Sequence, residues 1–162
     1  MSKRIDVATV EPILGSLYPA PFDQPCRARE RRRLGDAAGL TQFGVNLLRL
    51  APGSWSSQRH WHSHEDEFVY VLAGEVTLVT EAGEELLRAG DAAGFRAGEA
   101  DGHSLQNRSS AEALLLEVGT RNEAQDATTY PDVDLRAPAG GMPARFTHRD
   151  GRPYPDAPRR SA

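Results

Sequence analysis

Between residues 41 and 119 the sequence is a succession of short apolar runs, each closed by a glycine-containing turn. In TQFGVNLLRL, Phe43, Val45 and Leu47 alternate with small or polar neighbours, and the run stops at Ala51-Pro52-Gly53. FVYVLAGEVTLVT is dense in β-branched and aromatic residues and is interrupted at Ala73-Gly74, which reads as two strands joined by a tight turn. TEAGEELLRAGD adds a turn at Ala82-Gly83 and a strand through Leu86 and Leu87, and HSLQN and ALLLEVG, separated by NRSS, add further strands. An amphipathic helix needs apolar residues at spacings of three and four over ten or more positions, and no such run occurs here. Short strands recurring every ~8–12 residues predict an all-β fold, an antiparallel sandwich or barrel.

A chain of 162 residues holds one such domain. The flanks differ from the middle in composition. Residues 1–40 are punctuated by proline and end in the basic run RARERRR, Arg27 to Arg33, which could bind phosphate but is expected to be a solvated face. After residue 120 the chain turns polar and then rich in Pro and Gly. The predicted organisation is an N-terminal arm (1–40), a barrel (41–119) and a C-terminal extension (120–162). The pentapeptide GDAAG occurs at Gly35–Gly39 and again at Gly90–Gly94; only the second copy is followed by a nearby histidine, so the echo is read as coincidence.

Nineteen basic against 23 acidic residues give a formal charge of −4, which disfavours nucleic acid as a partner. Cys26 is the single cysteine, so neither an intramolecular disulfide nor a CxxC pair is available. No apolar stretch approaches the ~18 residues of a membrane span, and the first residues lack the apolar core of a secretion signal. These features predict a cytoplasmic protein without a membrane or nucleic-acid partner.

The chemistry concentrates in RHWHSHEDEFVYVLAG, from Arg59 to Gly74. On a strand, residues two apart share a face about 6.6 Å from one another, so an HxH pair can converge on one cation; on a helix the pair would diverge. His60 with His62 satisfies this rule, and so does His62 with His64. Glu67 opens the next apolar strand, from which its carboxylate can reach a metal held by the pair. His103 follows a glycine-rich turn downstream and can supply a fourth ligand. Four of the five histidines fall in these two clusters. Asn107 is read as satisfying backbone groups in its turn. Trp61 has parity opposite to the histidines and is expected to pack behind the site, and Glu65 and Asp66 read as a solvated acidic turn.

These two segments resemble the two motifs of the cupin superfamily, small antiparallel β-barrels of jelly-roll type. Gly53, His60, His62, Glu67 and Gly74 fill the places of the first motif, with six residues instead of five between Gly53 and His60. Gly90, Gly98, His103 and Asn107 match the second, in which Arg96 stands where proline is usual and four residues separate Gly98 from His103. The resemblance implies a metal held by His60, His62, Glu67 and His103, a divalent transition ion such as Zn, Fe, Mn or Ni. It also implies a homodimer, in keeping with Phe68, Tyr70 and Leu72, which look buried and need a cover from the N-terminal arm or a second subunit. The first motif is similar to the cupin portion of sugar-phosphate isomerases of the phosphomannose type. The expected function is therefore binding of, or isomerase chemistry on, a small polar metabolite. A metal-dependent dioxygenase and a non-catalytic binding or sensing module are the alternatives, the sensor being disfavoured by the lack of a helix-turn-helix pattern. Within this reading His64 is the candidate proton carrier, although an ordinary loop role is also open to it, and Arg96 is the candidate contact for a substrate anion.

Overall fold

The computed structural model describes residues 3–140 and 146–155. In chain order the strands are β1 (Ile13–Leu14), β2 (Arg29–Arg33), β3 (Phe43–Leu50), β4 (Trp61–His62), β5 (Glu67–Ala73), β6 (Glu75–Thr80), β7 (Gly83–Arg88), β8 (Ala92–Phe95), β9 (Ser104–Gln106), β10 (Ala113–Thr120), β11 (Thr128–Tyr130) and β12 (Leu135–Ala137). They form a six-stranded sheet in the order β1-β2-β3-β10-β5-β8, and two three-stranded sheets, β7-β6-β9 and β12-β11-β4. The recorded pairings are antiparallel. The all-β expectation holds, with a four-residue helix, α1 (Leu34–Ala37), and short 3₁₀ turns as the helical content of the described residues.

Alternation along the strands sends one set of side chains between the sheets. Leu48 and Leu50 of β3, Val69 and Val71 of β5, and Ala113 and Leu115 of β10 meet Val76 and Leu78 of β6, Leu87 of β7 and Leu105 of β9 in one buried cluster. That cluster fills one end of the sandwich. Toward the other end the inward positions become polar, with Asn46, Glu117 and Glu67 continuing the same faces, and there the sandwich opens into a cavity. A second cluster, Tyr18, Cys26, Tyr130, Leu135 and Ala137, ties the N-terminal segment to β11 and β12.

Four expectations need correction. The first 40 residues are not merely an arm, because β2 pairs with β3 along its whole length, Arg29 opposite Leu50 through Arg33 opposite Asn46. The basic run is not a solvated face, since Arg29, Arg31 and Arg33 alternate toward the interior and line the cavity. The segment beyond residue 120 supplies β11 and β12, and β11 pairs with β4, which carries His62. Phe68, Tyr70 and Leu72 are 43%, 37% and 43% exposed, so the N-terminal segment does not cover them. The two GDAAG copies take different structures, the first in α1 and its turn and the second in the approach to β8 and its first residues. Asn107 is wholly buried; its amide donates to Leu50 O and Ala111 O at 2.8 Å each, and its Oδ1 accepts from Ser109.

Candidate metal centre

His60 lies just before β4, where its backbone pairs with His103 across an antiparallel bridge. His62 is in β4 and Glu67 opens β5, so three short elements bring four side chains together. Nε2 of His60 and Nε2 of His62 each lie 3.4 Å from Glu67 Oε2, and Nε2 of His103 lies 3.0 Å from the same oxygen. None of these approaches has the direction of a hydrogen bond, for Glu67 Oε2 is buried without an aligned donor. Donor atoms about 2.1 Å from a shared ion stand about 3.4 Å apart at tetrahedral angles and about 3.0 Å apart at octahedral ones. The spacing of His60, His62 and Glu67 is therefore that of ligands around one cation, and His103 approaches the same Glu67 oxygen from a third element.

The far side of each imidazole determines which nitrogen faces the centre. His60 Nδ1 lies 2.9 Å from Gln58 O and can donate to it, which leaves Nε2 with its lone pair inward. His62 Nδ1 is 2.7 Å from Asp126 Oδ2, a carboxylate that accepts the Nδ1 proton and fixes the ring. His103 stacks on Phe95 with centroids 3.5 Å apart, and its buried Nδ1 has no partner. His60 stacks on Tyr130 at 5.7 Å. Burial disfavours the charged form of His103 and holds its pKa below the usual imidazole value, the neighbouring Glu67 opposing this. For His62 burial acts the same way but is outweighed by Asp126 and Glu67, so its pKa is raised. Burial would raise Glu67, yet the imidazoles of His103, His60 and His62 hold it well below the ordinary carboxylate range. Asp126 is lowered because its bonds to His62 and to the backbone of His64 outweigh burial.

Two cavities meet at this centre. The larger, about 610 Å³, reaches it from the six-stranded sheet, and the smaller, about 180 Å³, from the side of Trp61 and Arg96. Arg96 is exposed at the rim of the smaller cavity. His64 is not part of either wall; it is exposed, with Nδ1 2.9 Å from Ser63 Oγ. Trp61 lines the smaller cavity instead of packing behind the site. Glu65 is not a solvated turn residue, since it is half-buried, lines both cavities and accepts from the Asn122 backbone N–H at 2.6 Å. Burial raises its pKa against that hydrogen bond. His62, Glu65 and Asp126 also stand close enough to share an ion. Asp126 escaped the sequence reading because it sits in a polar segment 64 positions from His62, with no motif to mark it.

A family model described as a cupin domain matches residues 46–119. A sugar phosphate isomerase from a cupin superfamily, from Silicibacter pomeroyi, superposes with a TM-score of 0.86 at 42% identity, covering 96% of this chain and 99% of that one. The chain belongs to the cupin superfamily. A proposed sugar phosphate isomerase from Acidithiobacillus ferrooxidans is also similar to this cupin, at TM-score 0.76 and 28% identity over 91% of this chain and 93% of the other. The polyketide cyclase of Streptomyces resistomycificus, at TM-score 0.60 and 20% identity over 74% of this chain and 80% of its own, shares the fold alone. No curated protein matches the sequence. Among the described residues no helix is long and apolar enough to cross a membrane.

Proposed function

We propose that this cupin binds one divalent transition metal through His60, His62, Glu67 and His103 and acts there on a small sugar phosphate as an aldose–ketose isomerase. The observation that carries the reading is the convergence of three imidazole Nε2 atoms on one buried Glu67 oxygen without hydrogen-bond alignment. The likeness to the Silicibacter pomeroyi sugar phosphate isomerase, which extends over nearly the whole of both chains, supports the choice of reaction. A bound metal would polarise an adjacent hydroxyl and carbonyl and stabilise the negative charge that develops when a proton leaves the carbon between them. Asp126 keeps His62 in the tautomer that presents Nε2. His64 is withdrawn as proton carrier, because it is exposed away from both cavities. Glu65, beside His62 and Glu67 on both cavity walls, is the carboxylate positioned to take and return the substrate proton. Arg96, at the mouth of the smaller cavity, remains a proposed contact for an incoming anion.

A homodimer in the cytoplasm completes the reading. The exposed Phe68, Tyr70 and Leu72 support self-association, and the single cysteine, Cys26, is fully buried and free, as suits a reducing compartment.

The test is solvent deuterium exchange into a panel of aldose and ketose phosphates, followed by NMR with metal-loaded protein. Exchange at the carbon beside the carbonyl is expected, with loss of exchange and of stoichiometric metal in His62→Ala. Full metal occupancy in that variant would overturn the ligand set, and a panel without exchange would overturn the isomerase.

A further inference from the structure

The inward face of β2 presents a feature that the metal centre does not use. Arg29, Arg31 and Arg33 occupy alternate positions opposite Leu50, Leu48 and Asn46 of β3, and all three line the cavity of about 610 Å³ that also reaches His60, His62 and Glu67. At about 6.6 Å per two strand residues the stripe of guanidinia runs about 13 Å along the wall. Arg29 is 8% exposed; its Nε donates to Gly15 O at 2.9 Å and its Nη1 donates to Ser56 O. These acceptors are neutral carbonyls, and among the described residues no carboxylate forms an ion pair with Arg29. Arg31 Nε lies 2.9 Å from Glu117 Oε2 of β10, and Arg33 has a distant counter-charge, Asp36 at 3.7 Å. A guanidinium taken out of water without a counter-charge is costly, and Arg29 is in that position beside an open cavity that Arg31 and Arg33 also line. Guanidinium forks match the oxygens of a phosphate, and the cavity has the volume of an ordinary small-ligand site.

We propose that Arg29, Arg31 and Arg33 are the phosphate-recognising wall of this cavity, so that the ligand is a small phosphate monoester whose oxygen-bearing opposite end reaches the His60, His62, Glu67 and His103 cluster. The inference rests on the sugar-phosphate reading above and assigns the phosphate to the β2 wall, leaving Arg96 at the separate mouth.

Titration calorimetry on the full, metal-loaded chain tests it, with inorganic phosphate, fructose 6-phosphate and fructose as probes. The variants are Arg33→Gln, which removes the least committed guanidinium, and the paired Arg31→Gln/Glu117→Gln, which removes both partners of that ion pair together. Inorganic phosphate should bind the wild type and compete with fructose 6-phosphate. Both variants should bind either phosphate probe at least about tenfold more weakly while metal content stays constant and any fructose binding is unchanged. No phosphate binding by the wild type, or unchanged affinity in both variants, would overturn the wall. Weakened phosphate binding in the variants, together with a wild type that gives no deuterium exchange, upholds the wall and removes the isomerase. Exchange with phosphate affinity intact in both variants does the reverse.

Discussion

At His62 the two ring nitrogens have different tasks: Nδ1 meets Asp126 at 2.7 Å while Nε2 stands 3.4 Å from Glu67 Oε2. The division makes Asp126 a positioning residue for the centre, and it has two measurable consequences. Replacing it in Asp126→Asn should weaken metal binding about 10–100-fold at neutral pH, the usual cost of losing a carboxylate behind a ligating imidazole. The pH dependence should shift as well. A metal competes with the proton for Nε2, and Asp126 and Glu67 raise His62 above its ordinary 6.5, so the apparent Kd of the wild type should begin to worsen above pH 6.5 as acid is added. Asp126→Asn removes the charge that favours imidazolium, so its Kd should begin to worsen at a lower pH, despite being weaker overall. Equilibrium dialysis of zinc against pH measures both, and an unchanged onset with unchanged affinity would show that Asp126 does not act through His62. The HxH spacing and the step to Glu67 were legible in the sequence because they are local. Asp126 was not, since only the pairing of β11 with β4 brings its segment beside His62.

The turn between β5 and β6 shows at the level of the element why part of this fold could be read in advance. Gly74 has φ of +74°, and a Cβ there would lie 2.6 Å from Glu112 O and 3.0 Å from Ala113 Cα, so both conformation and space require glycine. Gly74→Ala should cost more than about 1 kcal/mol, seen as a lower denaturant midpoint at unchanged slope. Wild-type stability in that variant would mean that the hairpin relaxes without loss. β3, β5, β6, β7, β9 and β10 follow the apolar runs closely because their inward side chains pack against one another, and burial imprints period-two alternation on the sequence. β2 has the same alternation written in arginine and glutamate. Its inward residues face a polar cavity instead of the apolar core, so hydropathy carries no trace of the strand. The pairs and triplets of residues in β1, β4, β11 and β12 are too short for any period to show.

The whole molecule puts its apolar core and its polar cavity in the same sandwich, end to end, and among the described residues it leaves the outer face of β5 exposed. On that side Phe68 and Tyr70 of β5 stand opposite Val118 and Leu116 of β10, which in turn face Val45 and Leu47 of β3. Phe68, Tyr70 and Leu72 were expected to be buried, and the contradiction has a physical reading: apolar residues on both faces of β5 belong to a strand covered on both sides, and the described residues of one chain cover one of them. A contiguous apolar sheet face of this kind is the ordinary site of a protein contact, and a second copy related by a two-fold axis would meet it with the same apolar character. The chain, of mass 17.7 kDa, should therefore travel as a dimer near twice that mass in light scattering. Tyr70→Glu, at a position already 37% exposed, should dissociate it, because a carboxylate forced into an apolar contact has no counter-charge there. Metal content should be retained in that variant, since the ligands lie on the inward faces. A wild type of single-chain mass would refute self-association through this face, as would a Tyr70→Glu variant that remains dimeric.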